Sequence, residues 1–481
     1  VSDAEAEDGA VRFVRTGRGV VRGDLTSGPI LRTLVVFIVP ALATNLLQTV
    51  GGTINAIWIG QLLGTTAVAA TANANTILFL LFGTVFGFGM ATTIAVGRHF
   101  GAQDLAEARR AFGAGIGFCA GLAVLGAVLG ALLAPRILQW MATPPAVELA
   151  ALAYLRITFL AMPFIAASML IGMGLRGAGD STTPLVSSVV AIVIDILLNP
   201  VLILGLGPAP RLGIAGSALA NAIGAAAGLV LTLAVIYSRD LPLRLRGREL
   251  RWLMPGRTDI AYMVGKGLPM GAQSMLAMAA GLVFIGLVNR EGLLATAAYG
   301  ASLQLWNYIQ MPAFAGGQAV SAMVAQNIGA GQHRRVIGVT WIGLAVTEVM
   351  TAVPTALLLL FDEPVLRLFL GSDSPAVPLA RHIQFICTWS YMMVGVMMVL
   401  FATMRAYGSV LVPLVVMVIT FYPARLGFHA LARPAMGTEA VWWAYPVSSA
   451  LSVVLALLAW RFGPWRAKRR QMMLAARDLA R

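Results

Sequence analysis

The sequence predicts an all-α polytopic membrane protein of twelve transmembrane helices, arranged as two parallel six-helix repeats around a central cleft. Three observations predict it. Apolar residues fill 59% of the 481 positions and charged residues only 11%, whereas a soluble domain carries about a quarter charged residues to hydrate its surface. Apolar stretches long enough to cross the roughly 30 Å of hydrocarbon as helices recur down the chain. The chain also repeats itself, its halves superimposing at a shift of 228 or 229 residues.

Taken in order, the chain opens on residues 1–28, charged and Gly-rich, with neither the apolar core nor the cleavage site of a signal peptide, which reads as a mobile cytosolic tail. An N-lobe over 29–237 follows, with crossings expected at 31–60, 66–96, 111–134, 147–175, 184–204 and 214–237. A basic linker spans 238–259. The C-lobe, 260–463, has crossings expected at 260–289, 295–326, 336–361, 378–404, 412–431 and 438–460, and a basic tail over 464–481 closes the chain.

Orientation follows from Lys and Arg, which are retained on the cytoplasmic side of short loops. Most of the 34 basic residues cluster in the N-terminal segment, the turns after the even-numbered crossings, the linker and the C-terminal tail. The opposite loops hold Arg136, Arg156, Arg211, Arg290, Arg367, Arg381 and Arg433. Both termini are therefore expected in the cytoplasm of a prokaryotic-type cytoplasmic (inner) membrane. The net charge of +14 is spread over short loops and forms no compact basic domain, which excludes nucleic acid and favours anionic lipid as partner. Cys119 and Cys387 lie within crossings and read as buried apolar residues. The four histidines show no metal-ligand spacing, and no phosphate-binding loop of an ATPase occurs.

Within the repeat, Phe100-Gly101-Ala102-Gln103 falls on Ile328-Gly329-Ala330-Gly331, each run closing an even-numbered crossing before a basic turn. Pro40 falls on Pro269, the segment starting at Ala67 on that starting at Ala295, and Arg176-Gly177-Ala178-Gly179 with Pro184 on Arg405-Ala406-Tyr407-Gly408 with Pro413. Six crossings is an even number, so both halves enter from one side and the repeats are parallel. Such lobes leave a cleft with a site near its midplane, opened alternately to each side by rocking. A pore would carry a repeated filter or a ring of charges, and neither is present.

With these motifs in view, residues 28–463 resemble the multidrug and toxic compound extrusion (MATE) family of the flippase-like transporter superfamily. The resemblance is carried by the proline early in the first crossing with Ile57-Trp58-Ile59-Gly60 closing it, by Gly97 to Gln103 before Ala106-Glu107-Ala108-Arg109-Arg110, by the loop Leu175 to Ser181, and by Asn199-Pro200 before Leu202-Ile203-Leu204-Gly205. It implies export of organic cations and other amphipathic toxins in exchange for protons or sodium ions. No resident cofactor is implied beyond that coupling ion, H+ or Na+, and the chain is expected to act as a monomer.

Only Asp195 and Glu348 among the 20 acidic residues lie well inside a crossing, where a charge at the helix centre costs roughly 2.5 to 3.5 kcal/mol. A carboxylate there is held neutral by a proton or stabilised by a cation, which an antiporter requires. Asn199 follows Asp195 by four residues and shares its helix face. In the archaeal and DinF-like branch this face looks like an amide followed by an acid, the reverse of the order here, and that branch has an acid where this chain has Asn55. Ser217 matches the family's nearby hydroxyl. The expected coupling and substrate site is therefore Asp195, Asn199, Asn55 and Ser217, with Asp195 the titrating member.

Secondary candidates lie in the C-lobe. The NorM-like branch has acids in crossings seven and ten, where this chain carries Gln273 and a Met-rich run with Met393, Met397 and Met404, so a C-lobe cation site of that type is not expected. The methionines form either an adaptable apolar wall or plain packing. Glu348 reads as a second coupling group or as a structural partner of a neighbouring helix. Arg425 reads as a counter-ion to either acid, or as snorkelling or bonding between helices. Trp442, Trp443 and Tyr445 read as an interfacial aromatic belt. A flippase of lipid-linked saccharide or precursor would require several cavity arginines, and a membrane transferase a clustered nucleophile, acid or metal set that the sequence lacks.

Overall fold

A computed structural model of the chain describes residues 14–16, 19–21, 23–140, 145–371 and 374–479. Residues 1–13, 17, 18 and 22 of the expected N-terminal tail, and 480 and 481 of the C-terminal one, lie outside the described residues. Within the N-terminal tail a small antiparallel hairpin pairs β1, Val14–Thr16, with β2, Gly19–Val21. The rest of the fold is helical.

The first lobe consists of α1 (Ile30–Leu63), α2 (Thr65–Gly101), α3 (Leu105–Trp140), α4 (Pro145–Gly177), α5 (Thr182–Leu204) and α6 (Ile214–Ser238). A 3₁₀ turn, Gly247–Leu253, lies in the linker. The second lobe starts with α7 (Arg257–Tyr262), which runs through a π turn, Met263–Gly267, into α8 (Leu268–Asn289). It continues with α9 (Leu293–Gly329), α10 (His333–Leu360) and a short α11 (Asp362–Leu370). The tenth crossing, read as continuous in sequence, breaks at Thr388 and Trp389 into α12 (Ala376–Cys387) and α13 (Ser390–Ala406). The eleventh is α14 (Leu411–Ile419), a π turn over Thr420–Ala424, and α15 (Arg425–Met436). The twelfth is α16 (Glu439–Phe462), and the basic tail forms a helix, α17 (Trp465–Leu479).

Among the described residues, ten crossings are long and apolar enough to span a bilayer by length and composition alone. The 37-residue helices α2 and α9 complete the twelve. They pack on each other across the lobes: α2 lies against α8 and α9, and α9 is buried almost continuously from Pro312 to Ile328. Small residues permit the close approach that helix association in lipid requires.

The repeat is written into the backbone as well as the sequence. Gly64 (φ 82°, ψ −175°) precedes α2 as Gly292 (φ 100°, ψ 177°) precedes α9. Gln103 (φ 61°) and Gly331 (φ 72°) turn the chain after those helices, and Gly179 (φ 84°) and Gly408 (φ 77°) turn it after the fourth and tenth crossings. These are left-handed conformations that glycine adopts without the Cβ penalty.

Both lobes meet at the end of the bundle that carries the N-terminal segment, the linker and α17. A Cβ on Gly101 would collide with the carbonyl oxygen of Gln326, and one on Gly329 with that of Arg98. Arg98 donates to the Ala406 carbonyl at the end of α13, and Gln326 Nε2 donates to the Gly177 carbonyl at the end of α4, 2.9 Å. These two bonds are mates under the repeat. A strap, residues 23–28, crosses the seam. Gly23 lies against Ala178 and Gly179 of the N-lobe, while the Leu25 amide donates to Gln326 Oε1 (3.0 Å), Asn327 Nδ2 donates to the Leu25 carbonyl (3.1 Å), and Arg335 donates to the carbonyls of Ser27 and Gly28. Lys266 and Lys468 both donate to the Gly408 carbonyl, each at 3.0 Å.

Gln326→Ala removes the bonds to the strap and to Gly177 together and leaves their buried partners unpaired, at a cost of about 1–3 kcal/mol. The variant is expected to melt at lower temperature in detergent, and a cysteine placed at Ala325 in it should react several-fold faster with a soluble thiol reagent. Unchanged melting and reactivity would show that the seam does not depend on this amide.

Candidate functional site

The four residues expected from sequence to form the N-lobe site come together. Asn199 Nδ2 donates to Asn55 Oδ1 at 3.0 Å and to Asp195 Oδ1 at 3.3 Å, and Ser217 Oγ donates to the same Asn55 oxygen at 2.7 Å. Helical spacing sets Asp195 and Asn199 on one face of α5, α1 brings Asn55 and α6 brings Ser217. Asp195 is only 6% exposed. Close approach of α6 to α5 is possible because a Cβ at Gly224 would stand 2.5 Å from the Ala191 carbonyl oxygen and 3.4 Å from Asp195 Cβ.

One member of the cluster was not foreseen. Asn221, one helical turn after Ser217 on α6, hydrogen-bonds the Asp195 carboxylate. Its signal in the sequence is the four-residue spacing from Ser217, the same relation that links Asp195 to Asn199.

Beside the cluster lies a cavity of about 390 Å³. Asp195 and Asn221 form part of its wall; Asn55, Asn199 and Ser217 do not, and stand behind the carboxylate as its support. The rest of the wall is mixed: Phe82, Phe86, Met169 and Met173 are apolar, while Thr44, Asn45, Gln48, Ser187 and Ser188 are polar. Gln318 reaches in from α9 of the other lobe. Asn45 Nδ2 and Gln318 Oε1 are buried without a hydrogen-bond partner among the described residues, so the wall offers an unspent donor and an unspent acceptor. Arg176, placed by sequence in a loop, closes α4 and lines the cavity near Pro184. At 1.5 Å per residue, Pro184 and Asp195 are about 16 Å apart along α5.

The C-lobe candidates do not reach this cavity. Gln273 donates from Nε2 to the Val410 carbonyl (3.1 Å) and ties α8 to the start of the eleventh crossing. Met397, with Phe401 and Met404, is packed in the core against Leu34, Phe37 and Val320 of the seam, which favours packing over an adaptable wall; Met393 is half-buried. Of the readings open for Arg425, bonding between helices is the one observed. Among the described residues it forms an ion pair with neither acid; it is 5% exposed, donates Nε–H to Ser448 Oγ (2.9 Å) and lies over the rings of Tyr445, Phe421 and Phe284 at 4.4, 4.9 and 5.8 Å. Trp442 and Tyr445 correct an expectation. They face inward to an aromatic cluster with Tyr299, Trp306 and Tyr391 instead of forming a belt, and only Trp443, 43% exposed, suits one.

Glu348 stands on α10 against α13, where a Cβ at Gly395 would be 2.5 Å from its Oε1. That oxygen is buried and has no hydrogen-bond partner among the described residues, so the paired structural role expected of it finds no partner here. No group of three His, Cys, Asp or Glu able to hold a metal ion occurs among the described residues.

Comparison with known proteins places these features in context. The MatE family model matches residues 40–201 and 269–431, once in each lobe. The chain is 33% identical over 439 residues to the Bacillus subtilis (strain 168) protein named Probable multidrug resistance protein YoeA, covering 91% of this chain and 94% of the relative. It is 23% identical to a Shewanella oneidensis protein named FAD transporter, covering 89% and 94%. Among solved structures, it superimposes at a TM-score of 0.85 and 17% identity on a multidrug resistance MATE family transporter of the MOP superfamily in an outward-facing conformation, covering 95% of this chain and 99% of that one. A mutant of the Vibrio cholerae MATE transporter VcmN aligns at 0.83 and 19% identity, covering 90% and 97%.

Two outcomes follow from the geometry. Asn55→Ala deprives Asn199 and Ser217 of a shared acceptor and should lower stability by about 1–3 kcal/mol, read as a fall in the melting temperature in detergent. Glu348→Gln replaces an unpaired carboxylate by an uncharged amide of the same shape, so the protein should melt higher and keep most of its transport. Loss of transport in a well-expressed Glu348→Gln protein would instead make Glu348 a coupling group.

Proposed function

The chain belongs to the multidrug and toxic compound extrusion family, and on that premise we propose that it is a secondary-active multidrug efflux antiporter. It exports lipophilic, often cationic compounds in exchange for protons, or for sodium ions, by alternating access of its two lobes. As a member of this family it is a multi-pass membrane transporter and not an enzyme. The observation that carries the proposal is a single carboxylate, Asp195, buried at the middle of a membrane-crossing helix and facing a mixed polar and apolar cavity.

The chemistry is competition. Phe82, Phe86, Met169 and Met173 supply an adaptable apolar surface for varied substrates, and Asp195 supplies one negative charge. A cationic substrate and a coupling ion that neutralise the same carboxylate displace each other, and exchange follows if the two lobe arrangements differ in their affinity for each. Asn199 and Asn221 hold the carboxylate in place by hydrogen bonds. A proton is favoured over sodium because Asn55 reduces the expected pair of acids to one, and a tightly held metal cation would call for more oxygen charge. The runner-up, a flippase of anionic lipid-linked cargo, is disfavoured because Arg176 is the one arginine lining the cavity among the described residues.

We place the N-terminal segment, the linker and α17 on the cytoplasmic side of a prokaryotic-type cytoplasmic membrane, where their basic residues meet anionic headgroups. The lobes are taken as residues 29–237 and 260–463, acting in one monomer. In intact cells, Arg248→Cys and Arg470→Cys should resist a membrane-impermeant thiol reagent while Arg211→Cys labels. Labelling at Arg248→Cys from outside would reverse the topology.

The function is tested in proteoliposomes with an imposed pH gradient and a fluorescent organic cation. Asp195→Asn is expected to abolish gradient-driven transport while expression and melting temperature stay close to wild type, since the exchange removes a charge without changing shape. Wild-type rates that follow a sodium gradient and ignore pH would replace the proton by sodium, and normal coupled transport by Asp195→Asn would remove the site altogether.

A further inference from the structure

The two lobes carry polar centres at equivalent places, and the residues there are of opposite charge. Pro184 near the start of α5 falls on Pro413 near the start of α14. The π turn Thr420–Ala424 then inserts one residue, so that beyond it Arg425 falls on Asp195 and His429 on Asn199. Gly213 (φ 57°, ψ −132°) in the turn before α6 falls on Gly437 (φ 60°, ψ −131°) in the turn before α16, which sets Tyr445 on Asn221 and Ser448 on Gly224. Pro269 falls on Pro40, which sets Phe284 on Asn55.

Contacts in the two lobes agree with this register. Asp195 is bonded by Asn221 and packs on Gly224; Arg425 lies over Tyr445 and bonds Ser448. Asn55 closes the N-lobe cluster through Asn199, and Phe284 closes the C-lobe one with its ring 5.8 Å from Arg425 Cζ. Around the N-lobe carboxylate the lining is amide and hydroxyl. Around the C-lobe guanidinium it is three aromatic rings and one hydroxyl.

A guanidinium remains charged at any physiological pH, and no carboxylate among the described residues pairs with Arg425. Its charge is met by π faces, which attract a cation within about 6 Å of the ring centroid and do so more strongly when water is excluded. We propose that the box of Phe284, Phe421 and Tyr445 is a cation site in the C-lobe filled by the chain's own Arg425, and that vacating it leaves a site for a free guanidinium-class organic cation. The tethered charge then excludes exchangeable cations from the C-lobe and leaves the N-lobe carboxylate as the place of exchange. That consequence rests on the reading of Asp195 given above; the box itself does not.

The test uses the full-length protein in detergent and measures binding by thermal unfolding, which is independent of transport and therefore of the N-lobe. Arg425→Ala should melt below wild type and recover saturably in millimolar guanidinium chloride, with no recovery in equal sodium chloride and no shift of wild type in either salt. Adding Tyr445→Leu to Arg425→Ala should abolish the recovery. Where Arg425→Ala does not purify as a folded protein, Arg425→Gln, closer in length, is put through the same titration. A folded variant that gains nothing from guanidinium, gains equally from sodium, or keeps its gain without the Tyr445 ring would overturn the proposal.

Discussion

Two donors in equivalent turns, Arg98 at the end of α2 and Gln326 at the end of α9, each reach across the molecule to the last carbonyls of a helix in the other lobe. The final carbonyls of a helix have no partner within it and carry the negative end of its dipole, so where they are buried, as at Gly177 and Ala406, they must be answered from outside. Here each lobe answers the other. This reciprocal bond demands that α2 and α9 touch backbone to backbone, which is why a glycine stands at 101 and at 329 with no space for a side chain. Once the lobes are pinned in this way at one end, the positions of the cavity, of Gln318 entering it from the far lobe, and of the strap across the seam follow.

The same demand, that a polar group surrounded by lipid find its partner inside the protein, is met differently at the centres of the two lobes. In the N-lobe a carboxylate is held by the amides of Asn199 and Asn221 and kept at the edge of a cavity. In the C-lobe a guanidinium is enclosed by rings and one hydroxyl. The repeat preserves the backbone and the place of the centre while the chemistry of its lining has diverged, so the molecule is symmetric in architecture and asymmetric in charge.

Much of this was legible in the sequence because it is carried by periodicity. Hydropathy located the twelve crossings, and the paired glycines and prolines located the repeat. The four-residue step from Asp195 to Asn199 located two members of the N-lobe cluster, and the resemblance to the family supplied Asn55 and Ser217. What escaped depends on which helix faces which. Asn45, Gln48 and Gln318 enter the cavity from helices far apart in the chain, and Arg176 reads as part of a loop until the end of α4 is seen to extend over it. Trp442 and Tyr445 read as membrane-surface residues by their place near the start of a crossing, but α16 turns them toward α9 and α13. The mate of Arg425 in the repeat escaped for a further reason: a π turn shifts the register by one residue just before it, and an alignment of the halves without that insertion sets it beside the wrong residue.

The strap across the seam also bears on how the molecule is made. The Leu25 amide and its acceptor Gln326 are 301 residues apart, so the beginning of the chain emerges long before the helix it must bond exists. At the usual rate of about 5–20 residues per second, the strap waits roughly 15–60 seconds during synthesis while four more pairs of helices are threaded into the bilayer. Its docking therefore has to wait until the whole first lobe and the first two crossings of the second have been made.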